Sequence, residues 1–282
     1  MQEVLTVSGL CKQYHAFSLE DVSFCLEEGR IMGMIGRNGA GKTTTLKSML
    51  GFVHPDRGDV RFFGMDFAAH QQRIRQQIGY VSGGVSFYPA KKLRTITGVT
   101  RSFSDQWDDQ AYRKTMERFQ LDENKTPAQL SEGMKVKYAM ALALSHRAKL
   151  LILDEPTSGL DPVSRDELLD VFLQLNREGA TILFSTHIIS DLEKCADDIL
   201  YICSGRVNSC QTLEAFASAY RFVRLSEGQA AQADRSKLIG LRQGKQDWQA
   251  IIRAQDAAGM PGEILPASLE TVMIHLEKEA EK

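Results

Sequence analysis

Long apolar runs are missing from this chain. A helix needs about 20 consecutive, mostly apolar residues to span a bilayer, and no run in the 282 residues approaches that length. The opening "MQEVLTVSGL" also lacks the basic region and apolar core of a secretory leader. The chain is therefore expected to stay in the cytosol and to carry no transmembrane segment of its own. A surplus of positive charge is missing too. Lys and Arg number 34 against 36 Asp and Glu, which removes the broad basic footprint of a nucleic-acid binder, so nucleic acid is not an expected partner. Cysteines are few and poorly spaced for cross-linking. Cys11, Cys25, Cys195, Cys203 and Cys210 contain no CxxC pair, and most lie in apolar surroundings, so they read as small hydrophobes and not as a disulfide or metal framework. Repeats, heptads and low-complexity segments are absent as well.

What is present points to an α/β protein. With 43% apolar residues the chain can bury a large core, and its length fits one large domain plus a smaller one. Short β-type runs recur at "VLTVSGL" (4–10), "IMGMIG" (31–36), "DVRFFG" (59–64), "LLILD" (150–154), "TILFST" (181–186) and "DILYIC" (198–203), with a further short run at 78–81. Runs that are apolar on both faces fit strands covered by helices on both sides. From Phe87 to about Arg147 the pattern turns helical, as in "WDDQAYRKTMERFQL", which predicts an inserted helical lobe. Residues 211–282 are more polar, with loop-like "EGQAAQAD" and "GMPGEILP". They predict a small appended subdomain whose last helix buries Leu269, Val272, Met273 and Leu276 along one face.

The chemistry starts at "GRNGAGKTT", Gly36 to Thr44, which follows a strand and opens a helix. That is the context a GxxxxGK[ST] phosphate loop requires. Its glycines allow backbone conformations in which successive N–H groups point at a phosphate from a helix N-terminus. Lys42 adds a cation for the outer phosphates, and the Thr43 hydroxyl is placed to ligand Mg²⁺. In "LLILDEP" a buried strand delivers Asp154 and Glu155 to its end. Asp154 would hold the Mg²⁺ opposite Thr43, while Glu155, turned the other way, would polarise an attacking water. Taken alone, the same pair also reads as a helix N-cap followed by a turn. His187, after "LFST", ends the next strand, where an imaizole reaches a terminal phosphate or serves a purely structural role.

Together these residues resemble the ATP-binding subunit of ABC transporters. "GRNGAGKTT" is similar to the family's Walker A loop, placing Arg37, Asn38, Gly39, Ala40, Gly41, Lys42, Thr43 and Thr44 at ATP. "LLILDEP" resembles Walker B, "SGLD" with Asp161 the D-loop, and "STH" the switch histidine. "LSEGM" resembles the LSGGQ signature: Ser131 and Gly133 match, Glu132 and Met134 depart. The resemblance spans roughly residues 3–210. It implies a P-loop NTPase with a RecA-like core, an antiparallel β subdomain and a signature-bearing helical lobe at about 87–147. The cassette would occupy 1–210, and 211–282 would form a small C-terminal α+β subdomain.

The family's arrangement also implies a head-to-tail cassette dimer, homo- or heterodimeric, in which Ser131, Glu132, Gly133 and Met134 cover ATP held by the partner. Glu132 reads more simply as an exposed acid in the first helical turn. Tyr14, in "KQY", resembles the A-loop aromatic that stacks on adenine, and a strand-end Tyr equally reads as a packing residue. The helical lobe with "FSDQWDD" and the tail ending "PASLETVMIHL" look like the subfamily driving ABC-2-type exporters of drugs, antibiotics or peptides. A separate transmembrane permease would then hold this chain at the cytoplasmic face of the membrane. Two other readings share the motifs: a soluble ABC ATPase acting on DNA or ribosomes, and an ATP-sensing module with slow hydrolysis. The second is motivated by Glu132, Met134 and Gly83. In the frame of "IGYVSG", Gly83 occupies the position of the family's Q-loop glutamine and has no side chain to reach Mg²⁺.

Overall fold

The computed structural model of the chain describes residues 2–82 and 88–280. The Gly83 and Gly84 pair, and Phe87 at the expected start of the helical lobe, lie outside the described residues. The chain divides into two compact units, residues 1–208 and 209–282.

The first unit begins with β1 (Glu3–Gln13), β2 (Ser18–Glu27), β3 (Ile31–Ile35), α1 (Lys42–Met49), β4 (Arg57–Phe62), β5 (Met65–Asp66), α2 (Phe67–Arg75) and β6 (Ile78–Ser82). Strands β2, β1, β4 and β5 form an antiparallel sheet in that order. The strand at β2 is absent from the runs read in the sequence. Its alternation is legible from Val22 through Phe24 to Leu26, all buried, but an irregularity in the pairing near Leu10 and a left-handed Asp21 (φ 53°) break the period at its start.

The helical stretch forms α3 (Leu93–Ser102), α4 (Asp109–Arg118) and α5 (Glu132–Ser145). A buried polar knot ties the three together: Thr97 Oγ1 lies 2.9 Å from the Tyr112 hydroxyl and 2.8 Å from that of Tyr138, which donates to the Leu93 carbonyl. Burial pushes the Tyr138 phenol up to about 12, so it stays a neutral donor.

Next come β7 (Leu150–Asp154), α6 (Pro162–Arg177), β8 (Thr181–Thr186), α7 (Ile189–Cys195), β9 (Asp198–Cys203) and β10 (Arg206–Thr212). The main sheet has the order β10-β9-β3-β8-β7-β6. Its pairs β9/β3, β3/β8, β8/β7 and β7/β6 are parallel. Leu150 to Leu153 have no exposed surface, as expected of a central strand covered on both faces. Because β8 sits between β3 and β7, the loops leaving all three emerge side by side. The register places Ile35 opposite Thr186 and Ser185 opposite Asp154.

The second unit contains α8 (Leu213–Ser218), β11 (Tyr220–Leu225), α9 (Glu227–Gln232), β12 (Ile239–Gln243), β13 (Trp248–Arg253), β14 (Glu263–Pro266) and α10 (Leu269–Ala280). Four antiparallel strands, in the order β12-β13-β11-β14, occupy a tail whose composition reads as loop-rich. Val223, Leu225, Ala250 and Ile252 supply their core. In α10, Leu269, Val272 and Met273 are buried as expected, whereas Leu276 is only half-buried. His275 takes the buried place instead, its Nδ1 lying 2.8 Å from the Gly240 carbonyl, and burial holds its pKa below the ordinary value.

The five cysteines are free thiols, and their surroundings correct the sequence reading. Only Cys195 is buried, its thiol pushed up to about 12 by desolvation; Cys25 and Cys210 are exposed and the other two are half-buried. Apolar sequence neighbours do not place a strand residue inside, because alternate positions face opposite ways.

Candidate functional site

The loop leaving β3 carries Arg37, Asn38 and Gly39 at the surface and returns to a buried Ala40. Gly41, at φ 115°, then turns the chain into α1 in a conformation that a Cβ would oppose. Gly41 provides no side-chain cap, and the first turn of α1 has no acidic residue. Its leading N–H groups thus face outward without a capping carboxylate, the arrangement that attracts an anion. Lys42 is 5% exposed. Its Nζ donates to the Gly36 carbonyl at 2.7 Å and to the Arg37 carbonyl at 3.3 Å, and it pairs with Glu155 Oε1 at 3.2 Å. A buried ammonium needs such partners.

At the end of β7, Asp154 is 6% exposed, and one of its oxygens accepts from both Thr43 Oγ1 (3.0 Å) and Ser185 Oγ (2.7 Å). Ser185 in turn accepts from the Glu155 N–H at 2.9 Å. Glu155 has φ 50°, a left-handed conformation that costs a non-glycine residue about 1–3 kcal/mol. The Ser185 bond and the bond from the Ser158 N–H to the Glu155 carbonyl (3.1 Å) hold it there. This backbone reversal sends the Glu155 side chain away from Asp154, towards Lys42 and His187. Its Oε2 lies 2.7 Å from His187 Nδ1. A lysine, a carboxylate and an imidazole are thereby joined in one chain of charge-assisted contacts.

These groups border a cavity of about 620 Å³. Asn38, Gly39, Gly41, Lys42, Thr43, Thr44, Glu155 and His187 line it, together with Ser158, the first residue of "SGLD", and with Ala16 and Phe17, which the sequence reasoning did not single out. Tyr14 is not among the lining residues. It is 41% exposed, with Lys12 Nζ 5.8 Å from its ring centre, and its N–H donates to the Phe17 carbonyl at 2.8 Å. Tyr14 and Phe17 therefore stand at opposite ends of one turn. Phe17 was legible only as an aromatic just ahead of a strand. Ser185 was quoted only as the first residue of "STH", and its bonds to Asp154 and the Glu155 N–H were not legible, since they depend on the pairing of β7 with β8.

Ser131, Glu132, Gly133 and Met134 do not line this cavity. Ser131 caps α5, accepting from the Met134 N–H at 3.3 Å. Glu132 points outward and pairs with Lys135 at 2.6 Å, as an exposed first-turn acid would. Gly133 is buried; a Cβ there would lie 3.7 Å from Leu160 and 3.9 Å from Ser164. Asp161 caps α6 through bonds from the Val163 and Ser164 N–H groups, and the Ser164 hydroxyl, followed by these N–H groups, lowers its pKa.

The donor set fits a hard divalent cation. Thr43 Oγ1 and Asp154 Oδ1 are oxygen donors 3.0 Å apart beside the loop, and Mg²⁺ is commonly held by one or two protein oxygens plus substrate phosphates. Among the described residues there is no cluster of three or more His, Cys, Asp or Glu for a self-sufficient metal site. None of the described helices is long and apolar enough to cross a membrane.

Residues 19–158 match the family described as ABC transporter. An ABC transporter ATP-binding protein of Bacillus subtilis, YxlF, is 34% identical over 211 residues, covering 73% of this chain and 70% of that protein. The bacitracin transport ATP-binding protein BcrA of Bacillus licheniformis is 32% identical over 211 residues, covering 73% and 69%. A solved structure of an ATP-binding subunit of an ABC transporter superposes with a TM-score of 0.67 at 32% identity, covering 75% of this chain and 90% of that one. With a glycine-rich loop opening α1, a buried Asp154 beside a half-buried Glu155 and a strand-end histidine gathered where β3, β7 and β8 end, and with relatives alike over most of their length, the chain belongs to the ABC transporter family as one of its ATP-binding subunits.

Proposed function

We propose that the chain hydrolyses ATP in its β3–α1 cavity to drive a separate ABC-2-type permease, exporting a drug, antibiotic or peptide. The observation that carries the site reading is the contact chain from Lys42 through Glu155 to His187 beside the open helix N-terminus. Arg37 to Thr44 wrap the phosphates, and Lys42 exchanges Glu155 for the outer phosphate oxygens. Glu155, released from that ion pair, orients the attacking water and accepts its proton, while His187 steadies the carboxylate and the terminal phosphate. Mg²⁺, held by Thr43 and Asp154, would supply Lewis-acid polarisation of the phosphate oxygens.

Tyr14 and Phe17 flank the adenine end. Ser131, Gly133 and Asp161 serve a second cassette docked head to tail, identical or not, with Glu132 turned outward and Met134 beside the capped turn. ATP closes the pair by binding the closed state more tightly, and hydrolysis reopens it. Residues 209–282 act as an accessory unit. The chain works at the cytoplasmic face, held there by its permease. The 32% identity to a bacitracin transport protein favours export.

Two experiments test this. The full chain should release phosphate from ATP with Mg²⁺ and stop when EDTA removes it, and it should co-purify with an integral membrane protein from detergent extract. Recovery with ribosomes or DNA instead would overturn the transport role. For Gly83, which replaces the Q-loop glutamine, Gly83→Gln should tighten Mg-ATP or raise turnover by several-fold. Unchanged affinity and turnover would count against a missing ligand there.

A further inference from the structure

Asp191, on α7, is a carboxylate with no exposed surface and takes no part in the contacts described above. Burying a charge is costly unless its partners are well placed, and those partners identify its role. Its Oδ2 accepts from Thr157 Oγ1 at 2.6 Å and from Thr186 Oγ1 at 3.2 Å. Among the described residues, its Oδ1 has no closer partner than Arg165 Nε, at 3.5 Å. Thr157 lies two residues after Glu155. Thr186 immediately precedes His187, and its hydroxyl also accepts from the Ile188 N–H at 3.0 Å, so the polypeptide on both sides of the imidazole hangs from one oxygen. Arg165 stands one turn into α6, its N–H bonded to the Asp161 carbonyl at 3.0 Å.

We propose that Asp191 is a positioning residue for ATP hydrolysis: it clamps the loop after Glu155 to the strand end before His187, and Arg165 ties that clamp to the helix headed by Asp161. The proposal rests on the assignment of Glu155 and His187 given above. Glu155 needs such support because its left-handed backbone is strained and, among the described residues, its peptide is otherwise fixed through Ser185 and Ser158. Asp191 is fully buried and does not line the cavity. It acts by keeping the 2.7 Å contact between Glu155 and His187 in register. A misplacement of about 1 Å at a reacting group costs roughly a hundredfold in rate. The loosely satisfied Oδ1 leaves room for Arg165 to tighten when α6 meets a second cassette.

The test is steady-state Mg-ATP hydrolysis by the full chain. Asp191→Asn and Thr157→Val should each lower kcat by about tenfold to a hundredfold with KM within about threefold of wild type. Thr157→Ser, which keeps the hydroxyl, should restore kcat, and Asp191→Asn should add less than about twofold in a His187→Ala background. Wild-type kcat in Thr157→Val, or equal losses in Thr157→Ser and Thr157→Val, would overturn the clamp even if Asp191→Asn fails to fold. Glu155→Gln separates the two readings. If it keeps its turnover the assignment of Glu155 falls, whereas if it is silent while Thr157→Val is fully active only the clamp falls.

Discussion

Glu155→Gln is expected to bind ATP at least as tightly as the native chain while losing roughly a thousandfold in turnover, within the ~10²–10⁴ range of general acid–base groups. The amide has the same shape, so the left-handed backbone and its bonds to Ser185 and Ser158 need not change. It can no longer take a proton from water. It also cannot form the ion pair with Lys42, which stands at 3.2 Å from the native carboxylate, so the ammonium is released for phosphate without competition. Affinity should therefore rise or hold while kcat collapses, and the ATP-loaded chain should run as a dimer in size exclusion. Single-turnover phosphate release and equilibrium nucleotide binding read the two effects separately. Brisk hydrolysis by this variant would remove Glu155 as the base.

Gly205→Ala is expected to lower stability by about 3 kcal/mol or more, in the class of strained-backbone and overpacking substitutions, and to weaken ATP binding with it. The cause lies in the backbone on every side. Gly205 has φ +77°, and a Cβ there would sit 1.8 Å from the Ser18 carbonyl oxygen and 3.0 Å from its carbon, atoms that cannot rotate away. Its N–H donates to the Ala40 carbonyl in the phosphate loop, and its carbonyl accepts from the Glu20 N–H, both at 2.9 Å. Relieving the clash must pull on the glycine loop proposed to hold the phosphates. Gly64→Ala is the control. Its φ is a similar +74°, but nothing lies within 4 Å of the added Cβ, so only the dihedral penalty of about 1 kcal/mol applies. At roughly 2–4 °C per kcal/mol for a domain of this size, thermal melts should drop by about 6 °C or more for Gly205→Ala and by about 2–4 °C for Gly64→Ala. Equal shifts would show that the close approach to Ser18 carries no weight.

Much of the site was legible because the chemistry needs particular residues at fixed spacing within one local element. Gly36 to Thr44 had to follow a strand and open a helix, and they do, with β3 ending at Ile35 and α1 beginning at Lys42. Four apolar residues ahead of Asp154 had to form a buried strand, and Leu150 to Leu153 are fully buried. Glu132 could be read as a surface acid from its place in the first helical turn, where it pairs with Lys135. Local pattern failed where a kink or a distant partner intervened. The bulged start of β2 hid a ten-residue strand, and the polar tail concealed a four-stranded sheet in which Val223 and Ile252 are buried only because β11 and β13 pair. His275 displaced Leu276 from the helix interior because a carbonyl at Gly240 was there to meet it.

The amino-acid sequence alone determined where the glycine loop, the lysine and the carboxylate pair stand, because each declares its chemistry through nearest neighbours in the chain. It also determined that a helical lobe interrupts the sheet. Only the tertiary structure decided how those pieces are held: Ser185 between Asp154 and Glu155, Phe17 in the cavity wall, Gly205 against the glycine loop, and Asp191 beneath both strand ends. The physical reason is register. Setting β8 between β3 and β7, with Ser185 opposite Asp154 and Thr186 opposite Ile35, is a product of long-range pairing. A slip of one residue would turn every side chain of that strand to the other face.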